Sequence, residues 1–290
     1  MPQIIEKIIV DAPIHLTYNA YYDITNWTKI LSDVVSVDII VNELDYQEFY
    51  ITVLKNGLPE KVHTIRECKI NQNIKIKQLI PPPQVTFMNG KWEFKAYNET
   101  QTIICATRTF AVKKTYNEKE YIKKLTASLK QNLYHFKNYL EGVGVIRVQR
   151  ILDTSSEQAI SLFWDLENWN KIWNPIIKTK CSFDNNYLQE FLMELEHNNE
   201  TEIITGVQLL KENSIAFYNI LCPNKLSLHF GSWQFDDVEN GVLVTANRIF
   251  RMQDAFSDEF ISYKYNLQNR IGNILECFKD YYQRRELISE

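Results

Sequence analysis

Three arginines fall on faces of this chain that are otherwise mostly apolar. Within 60–70, alternation puts Val62, Thr64, Arg66, Cys68 and Ile70 on one side, and Lys61, His63, Glu67 and Lys69 on the other. Within 101–112, Ile104, Ala106, Arg108, Phe110 and Val112 share a side, and Arg248 lies among Val242, Val244, Ala246, Phe250 and Met252. A buried guanidinium stays charged and must be paired or hydrogen-bonded. Aimed at an oxygen that gains negative charge, it stabilises an alkoxide or enolate. It cannot act as the base, because it does not lose its proton. For Arg108 and Arg248 the favoured account is a structural ion pair, which the carboxylates Asp23 and Asp165 could supply. Arg66 has no arginine matching it in the second half of the chain, where Val207 falls on the face Ile203, Thr205, Val207 and Leu209. A ligand or catalytic role is therefore favoured for Arg66.

Neutral polar groups accompany the arginines. Gln78 shares a face with Ile74, Ile76 and Ile80, and its counterpart is Asn219. Met88, Gly90, Trp92 and Phe94 face inward, opposite Lys91, Glu93 and Lys95. In the second half, His229 stands beside Gly231 and Trp233. Trp92 and Trp233 fit core packing or a cavity wall equally well, and His229 reads as a packed core histidine. No His/Cys/carboxylate spacing suggests a metal site. There is no G-x-S-x-G elbow, phosphate loop or HExxH. Gly142-Val-Gly144 follows a helical pattern and lacks a third glycine, so it reads as a helix end and hinge.

The elements that position these side chains occur twice. Asp23-Ile-Thr-Asn26-Trp27-Thr-Lys29-Ile30 returns as Asp165-Leu-Glu-Asn168-Trp169-Asn-Lys171-Ile172, and Met88-Asn-Gly90-Lys-Trp92-Glu-Phe94 as His229-Phe-Gly231-Ser-Trp233-Gln-Phe235. Thr107-Arg108-Thr-Phe110 returns as Asn247-Arg248-Ile-Phe250, and His135-Phe136-Lys137-Asn-Tyr139 as Cys277-Phe278-Lys279-Asp-Tyr281. The offset stays at 140 to 142 positions throughout, the size of a whole domain. Two domains are expected, 1–144 and 145–290. Each begins with a strand and short helices near Pro13 and Asn26 or their counterparts. Strands are expected over 35–43, 46–55, 60–70, 73–80, 88–96 and 101–112. Breaks at Asn56-Gly57, Asn71-Gln-Asn73, Pro81-Pro-Pro83 and Asn98-Glu99 mark an antiparallel meander. Ile122, Leu125, Leu129, Leu133, Phe136 and Leu140 then give a long helix over about 117–141. The fold class is α+β, with a curved antiparallel sheet around each long C-terminal helix and an internal cavity between them.

With 290 residues, each half is long enough to bury a core of its own. The net charge of −4 argues against a nucleic-acid binder. No stretch approaches the roughly 18 apolar residues of a membrane span. Five scattered cysteines without a CxxC pair fit reduced thiols in a cytoplasmic protein. Asn-x-Thr triplets at Asn26, Asn98 and Asn199 have no secretion signal beside them and read as accidental.

Thr64-Ile-Arg66-Glu67, Gln78-Leu-Ile-Pro-Pro-Pro83 and Met88-x-Gly90-x-Trp92 resemble the N-terminal half of di-domain aromatase/cyclases of bacterial aromatic polyketide synthases, within the START-like, helix-grip superfamily. Leu226-Ser-Leu-His229-x-Gly231-x-Trp233 and Gly241-Val-Leu-Val-Thr245 resemble the C-terminal half. The resemblance implies a cofactor-independent enzyme that takes a poly-β-ketone from an acyl carrier protein, closes its first ring by aldol condensation and dehydrates it. It implies that Arg66 and Thr64 are catalytic, since they match a Thr-x-Arg context. Gln78, Met88, Trp92, Phe94, Arg108, Asn219, His229, Trp233 and Arg248 would bind substrate. Three roles stay open for the second copy: a degenerate cavity, a folding partner, or the site of a later dehydration. A non-catalytic carrier of a lipid or hydrophobic metabolite is the rival reading. The two differ at the arginines: a carrier ties them to carboxylates, whereas an enzyme leaves Arg66 free. Lys113, Lys114, Lys119, Lys123, Lys124 and Lys130 form a basic surface that fits a solvated helix face better than a carrier-protein dock. The sequence carries no signal for an oligomeric state.

Overall fold

A computed structural model describes residues 1–55, 57–197, 200–254 and 259–289. Asn56 of the Asn56-Gly57 break and Asn199 of the third Asn-x-Thr triplet lie outside these residues. The chain divides into two compact units, Met1–Glu141 and Gly142–Glu290. Gly142 sits at φ 64°, where the first long helix has just ended, and the next strand starts at Val143.

In the first unit, β1 (Gln3–Val10) leads into α1 (Ile14–Tyr22), a 3-10 turn (Ile24–Asn26) and α2 (Trp27–Ile30). Six strands follow: β2 (Val34–Asn42), β3 (Tyr46–Lys55), β4 (Leu58–Lys69), β5 (Asn73–Ile80), β6 (Val85–Ala96) and β7 (Thr102–Val112). Helix α3 (Glu118–Leu140) closes the unit. Lys113 and Lys114 fall before α3, so only four of the six expected lysines lie on it. The second unit repeats this with β8 (Val143–Leu152), α4 (Ser156–Trp164), a 3-10 turn (Leu166–Asn168) and α5 (Trp169–Ile172). Its remaining strands are β9 (Ile176–Asp184), β10 (Leu188–His197), β11 (Glu200–Lys211), β12 (Ser214–Leu221), β13 (Leu226–Val238) and β14 (Gly241–Met252), followed by α6 (Phe260–Ser289). Each unit is a seven-stranded antiparallel sheet, ordered β1-β7-β6-β5-β4-β3-β2 and β8-β14-β13-β12-β11-β10-β9, with one long helix after it.

The helices form where local chemistry favours them. Asn117 caps α3 by accepting the Glu120 amide, and Glu118 and Glu120 place negative charge at the positive end of the helix dipole. The buried stripe Leu129, Leu133, Phe136 and Leu140 lies at helical spacing. Phe136 stacks on Tyr21 of α1 with ring centroids 3.8 Å apart, and Tyr21 meets Trp92 at 4.6 Å. The second unit repeats this contact with Phe163 and Phe278 at 4.0 Å, and Phe163 and Trp233 at 5.0 Å. Phe94 packs edge-on against Tyr18 and Tyr21 in the same first-unit core. Among the described residues, no helix is long and apolar enough to cross a membrane.

Candidate functional site

The repeated Gly-x-Trp strand and the repeated arginine form one cross-strand device. Gly90 on β6 pairs with Arg108 on β7, and Gly231 on β13 pairs with Arg248 on β14. A Cβ at Gly90 would collide with the Arg108 guanidinium, so the missing side chain leaves a lane for the arginine. The arginine crosses its partner glycine and reaches the tryptophan two residues further along. Arg108 lies 5.0 Å from the Trp92 ring centre, and Arg248 lies 3.9 Å from that of Trp233. Neither arginine has a carboxylate partner among the described residues. This corrects the expected ion pairs with Asp23 and Asp165. Asp23 instead accepts from Thr25 and Asn26, and Asp165 from Asn168, so both are spent on their own 3-10 turns. Burial lowers the pKa of Arg108 to about 10 and that of Arg248 to about 9, and both stay charged at neutral pH.

Arg66 is buried to 1% exposure and is not free. Its Nη1 donates to the Tyr21 carbonyl at 2.8 Å and its Nη2 to the Tyr22 carbonyl at 2.6 Å. Its Nε donates to Gln47 Oε1 at 3.0 Å, and Nη2 reaches the same oxygen. Tyr21 and Tyr22 end α1, where helix carbonyls lack partners within the helix. Arg66 therefore pins the end of α1 to β4 through neutral acceptors. Neither expected pattern, a carboxylate-bound or a free Arg66, is found. Thr64 is buried two residues before it, opposite Phe49 on β3 and Gln78 on β5.

The second unit has a counterpart to Arg66, and it is not Val207. On β11 the buried side is Glu202, Ile204, Gly206 and Gln208, whereas Ile203 and Leu209 are 46% and 41% exposed. The expected inward face is thus the outer one, a one-residue slip that reverses every side chain. Gln208 donates through Nε2 to the Trp164 carbonyl at the end of α4, at 3.1 Å, and to Gln189 Oε1 at 2.6 Å. Gln208 occupies the place of Arg66, Gln189 that of Gln47, and Trp164 that of Tyr22. Gln47 and Gln189 were missed as candidates, although Gln47-Glu48-Phe49 returns as Gln189-Glu190-Phe191.

A pocket with convergent polar groups lies in the second unit. Its volume is about 120 Å³, and its apolar walls include Trp169, Phe191, Phe217, Trp233, Leu267 and Ile271. Asn219, His229 and Arg248 also line it, and they are 4%, 8% and 4% exposed. Asn219 Oδ1 and both His229 ring nitrogens have no hydrogen-bond partner among the described residues. Arg248 bonds only through Nη1, to the Ser232 and Asn247 carbonyls at 2.9 and 2.8 Å. Its guanidinium carbon lies over two rings, that of Trp233 and, at 4.6 Å, that of Phe217. Arg270 on α6, which carried no sequence signal, borders the pocket and pairs with Glu202 at 3.5 Å. In the first unit Met88 stands where His229 is, and Gln78 Oε1 and Trp92 Nε1 are buried without partners.

Burial first, then the charges of Arg248 and Arg270, lower the His229 pKa from 6.5 to about 3. The imidazole is therefore neutral at pH 7. Because the folded value lies below the unfolded one, the unfolded state binds the extra proton, and stability is lost as pH falls below about 6.5. The second unit is expected to lose up to about 1.4 kcal/mol per pH unit there. His229→Met, which copies Met88, should remove that slope. Urea titrations at several pH values check this, and equal slopes in the two proteins would exclude His229 as the source.

The described residues contain no cluster of three or more His, Cys, Asp or Glu suited to a metal. No family model matches the chain, and neither does any curated protein. Among solved structures, the di-domain ARO/CYC StfQ of the steffimycin pathway aligns over 98% of this chain and 99% of its own, at 13% identity and TM-score 0.46. The Zhui aromatase/cyclase from a Streptomyces species aligns over 47% of this chain and 89% of its own, at 20% identity and TM-score 0.43. The di-domain ARO/CYC BexL matches 97% of this chain and 98% of its own, at 16% identity and TM-score 0.45.

Proposed function

We propose that this chain is a polyketide aromatase/cyclase of the helix-grip type, in which each sheet curves around its long helix to enclose a cavity, and that the reaction centre is the second-unit pocket. The observation that carries this reading is Arg248, a desolvated cation without a carboxylate, facing a pocket beside unpartnered Asn219 and neutral His229. The motifs around Thr64 and Arg66 and around His229 and Trp233 point to the same enzyme family. A poly-β-ketone presents acidic methylene hydrogens flanked by ketones. Loss of one proton gives an enolate, whose carbon attacks a distant ketone carbon and leaves an alkoxide. That alkoxide takes up a proton, and loss of water followed by enolisation makes the ring aromatic. Arg248 stabilises the enolate and alkoxide oxygens, and Asn219 orients the chain. His229, held neutral by burial and by the charges of Arg248 and Arg270, is a hydrogen-bonding partner for the substrate and not the base, so the methylene proton leaves to water or to the substrate's own enol and returns from there. The aromatic walls exclude bulk water.

Arg66 holds the end of α1 to the sheet of the first unit in this reading, with Thr64 buried beside it, and Gln78, Met88, Trp92, Phe94 and Arg108 line its counterpart interior. The substrate arrives on an acyl carrier protein. A carrier of a hydrophobic metabolite would share the apolar walls but calls for arginines neutralised by carboxylates, which Arg248 lacks.

A ketoreduced, carrier-bound polyketide incubated with and without the protein tests the reading. Wild type should divert shunt products into the cyclised aromatic product. Arg248→Gln should lower that rate by about 10²–10³-fold, whereas Arg66→Gln should leave it within a few-fold. Unchanged shunt products with wild type would sink the reading, and loss only in Arg66→Gln would return the centre to the first unit.

A further inference from the structure

We infer that the second-unit pocket is a binding site for a single-ring organic monoanion, a flat aromatic or enolic ring bearing a carboxylate, phenolate or enolate oxygen. The inference rests on this pocket being the binding site and not on any reaction taking place there. Charge points to it first. Among the residues lining the pocket, Arg248 and Arg270 are cationic and none is acidic. Arg270 is balanced by Glu202, whose other oxygen accepts the Asn224 amide at 2.7 Å. Arg248 is balanced by nothing among the described residues, and a buried charge without a counter-charge is costly. The pocket is therefore one negative charge short.

The geometry of Arg248 says how the anion is gripped. Its two hydrogen bonds both leave from Nη1. Nε and Nη2 remain, and their N–H groups point the same way from one edge of the guanidinium. That edge is the one that takes a carboxylate through two parallel hydrogen bonds. The guanidinium carbon lies over the Trp233 and Phe217 rings, so a ligand held at this edge has aromatic surface beside it. Asn219 Oδ1 and one ring nitrogen of neutral His229 are acceptors and the other ring nitrogen is a donor, which fits a ring carrying hydroxyl or carbonyl groups. Size sets the upper limit. An engineered apolar cavity of about 150 Å³ holds one benzene, so about 120 Å³ admits one ring, and the rest of a longer chain stays outside it.

Three probes of nearly identical shape separate charge from shape: benzoate, benzamide and benzamidinium. Titrated into the full chain by calorimetry at pH 7, benzoate should bind about tenfold or more tightly than benzamide, and benzamidinium should not bind. Arg248→Gln should bring benzoate down to the affinity of benzamide, whereas Arg108→Gln should leave the preference intact. The wild-type ranking stands without any variant, so misfolding of Arg248→Gln would not obscure it. Equal affinities for the three probes, no saturable benzoate binding, or a preference that survives Arg248→Gln would each overturn the inference. A failed cyclisation assay with the benzoate preference intact would sink the proposed reaction and leave the anion site standing.

Discussion

Arg66→Leu is expected to destabilise the first unit by about 3–5 kcal/mol, whereas Arg66→Gln should cost less than about 1.5 kcal/mol. The side chain is buried and donates to three acceptors: the Tyr21 and Tyr22 carbonyls and Gln47 Oε1. The two carbonyls end α1, so the guanidinium also sits at the negative pole of that helix. Leucine would fill much of the volume but leave the Tyr21 carbonyl without a donor, the Tyr22 carbonyl with only Gln47 Nε2 at 3.3 Å, and Gln47 Oε1 with only the Cys68 thiol at 3.8 Å. Replacing a whole buried ion pair by apolar groups can be harmless, but two of these partners are backbone and cannot be replaced. Glutamine is different because the chain already uses it in the duplicate, where Gln208 bonds the end of α4 and Gln189. Urea unfolding followed by tryptophan fluorescence checks both changes, since Trp27 and Trp92 report the first unit and the other four tryptophans the second. A Leu variant within about 1 kcal/mol of wild type would remove Arg66 from its structural role.

The elements were legible because their periods are local. The segment expected over 73–80 is a strand over Asn73–Ile80, that over 101–112 runs Thr102–Val112, and the helix over about 117–141 runs Glu118–Leu140. The site was less legible because one of its strands misleads. On β11 the outer face carries Ile203, Val207 and Leu209, while the inner face carries Glu202, Gly206 and Gln208. Alternation assigns the apolar set to the interior, and here that choice is inverted. The offset between copies resolves it. It is 142 up to the β4–β5 turn and 141 after it, since Ile70-Asn71-Gln72 is matched by only Glu212-Asn213. Held at 142, it sends Arg66 to Gln208. His229 was visible as an inward residue, but its lack of partners depends on what surrounds it in space, which no periodicity reports.

The Gly-x-Trp repeat was visible too, while its purpose lay in the pairing of strands, and this gives an uneven mutational effect. Gly231→Ala is expected to destabilise the second unit by about 3 kcal/mol or more, and Gly90→Ala to cost the first unit about 1–2 kcal/mol. At Gly231 the new methyl would overlap the Asn247 carbonyl oxygen and press on Arg248 Cδ. That oxygen belongs to the backbone of the paired strand and already accepts from Arg248 Nη1. Relief would require β13 and β14 to part, or Arg248 to leave its place over the Trp233 and Phe217 rings uncovered. At Gly90 the obstacle is the Arg108 side chain, nearest at Nη1, and no backbone atom is among its closest neighbours. Arg108 is only half-buried, so it can swing toward solvent, losing its contact with Trp92 and its bond to the Thr107 carbonyl. The same motif is thus rigid in the unit with the pocket and yielding in the other. Paired urea titrations of the two variants measure the difference. Equal losses would mean that Arg108 is as firmly held as the β13–β14 backbone, and a tolerated Gly231→Ala would refute the close packing that fixes the edge of Arg248.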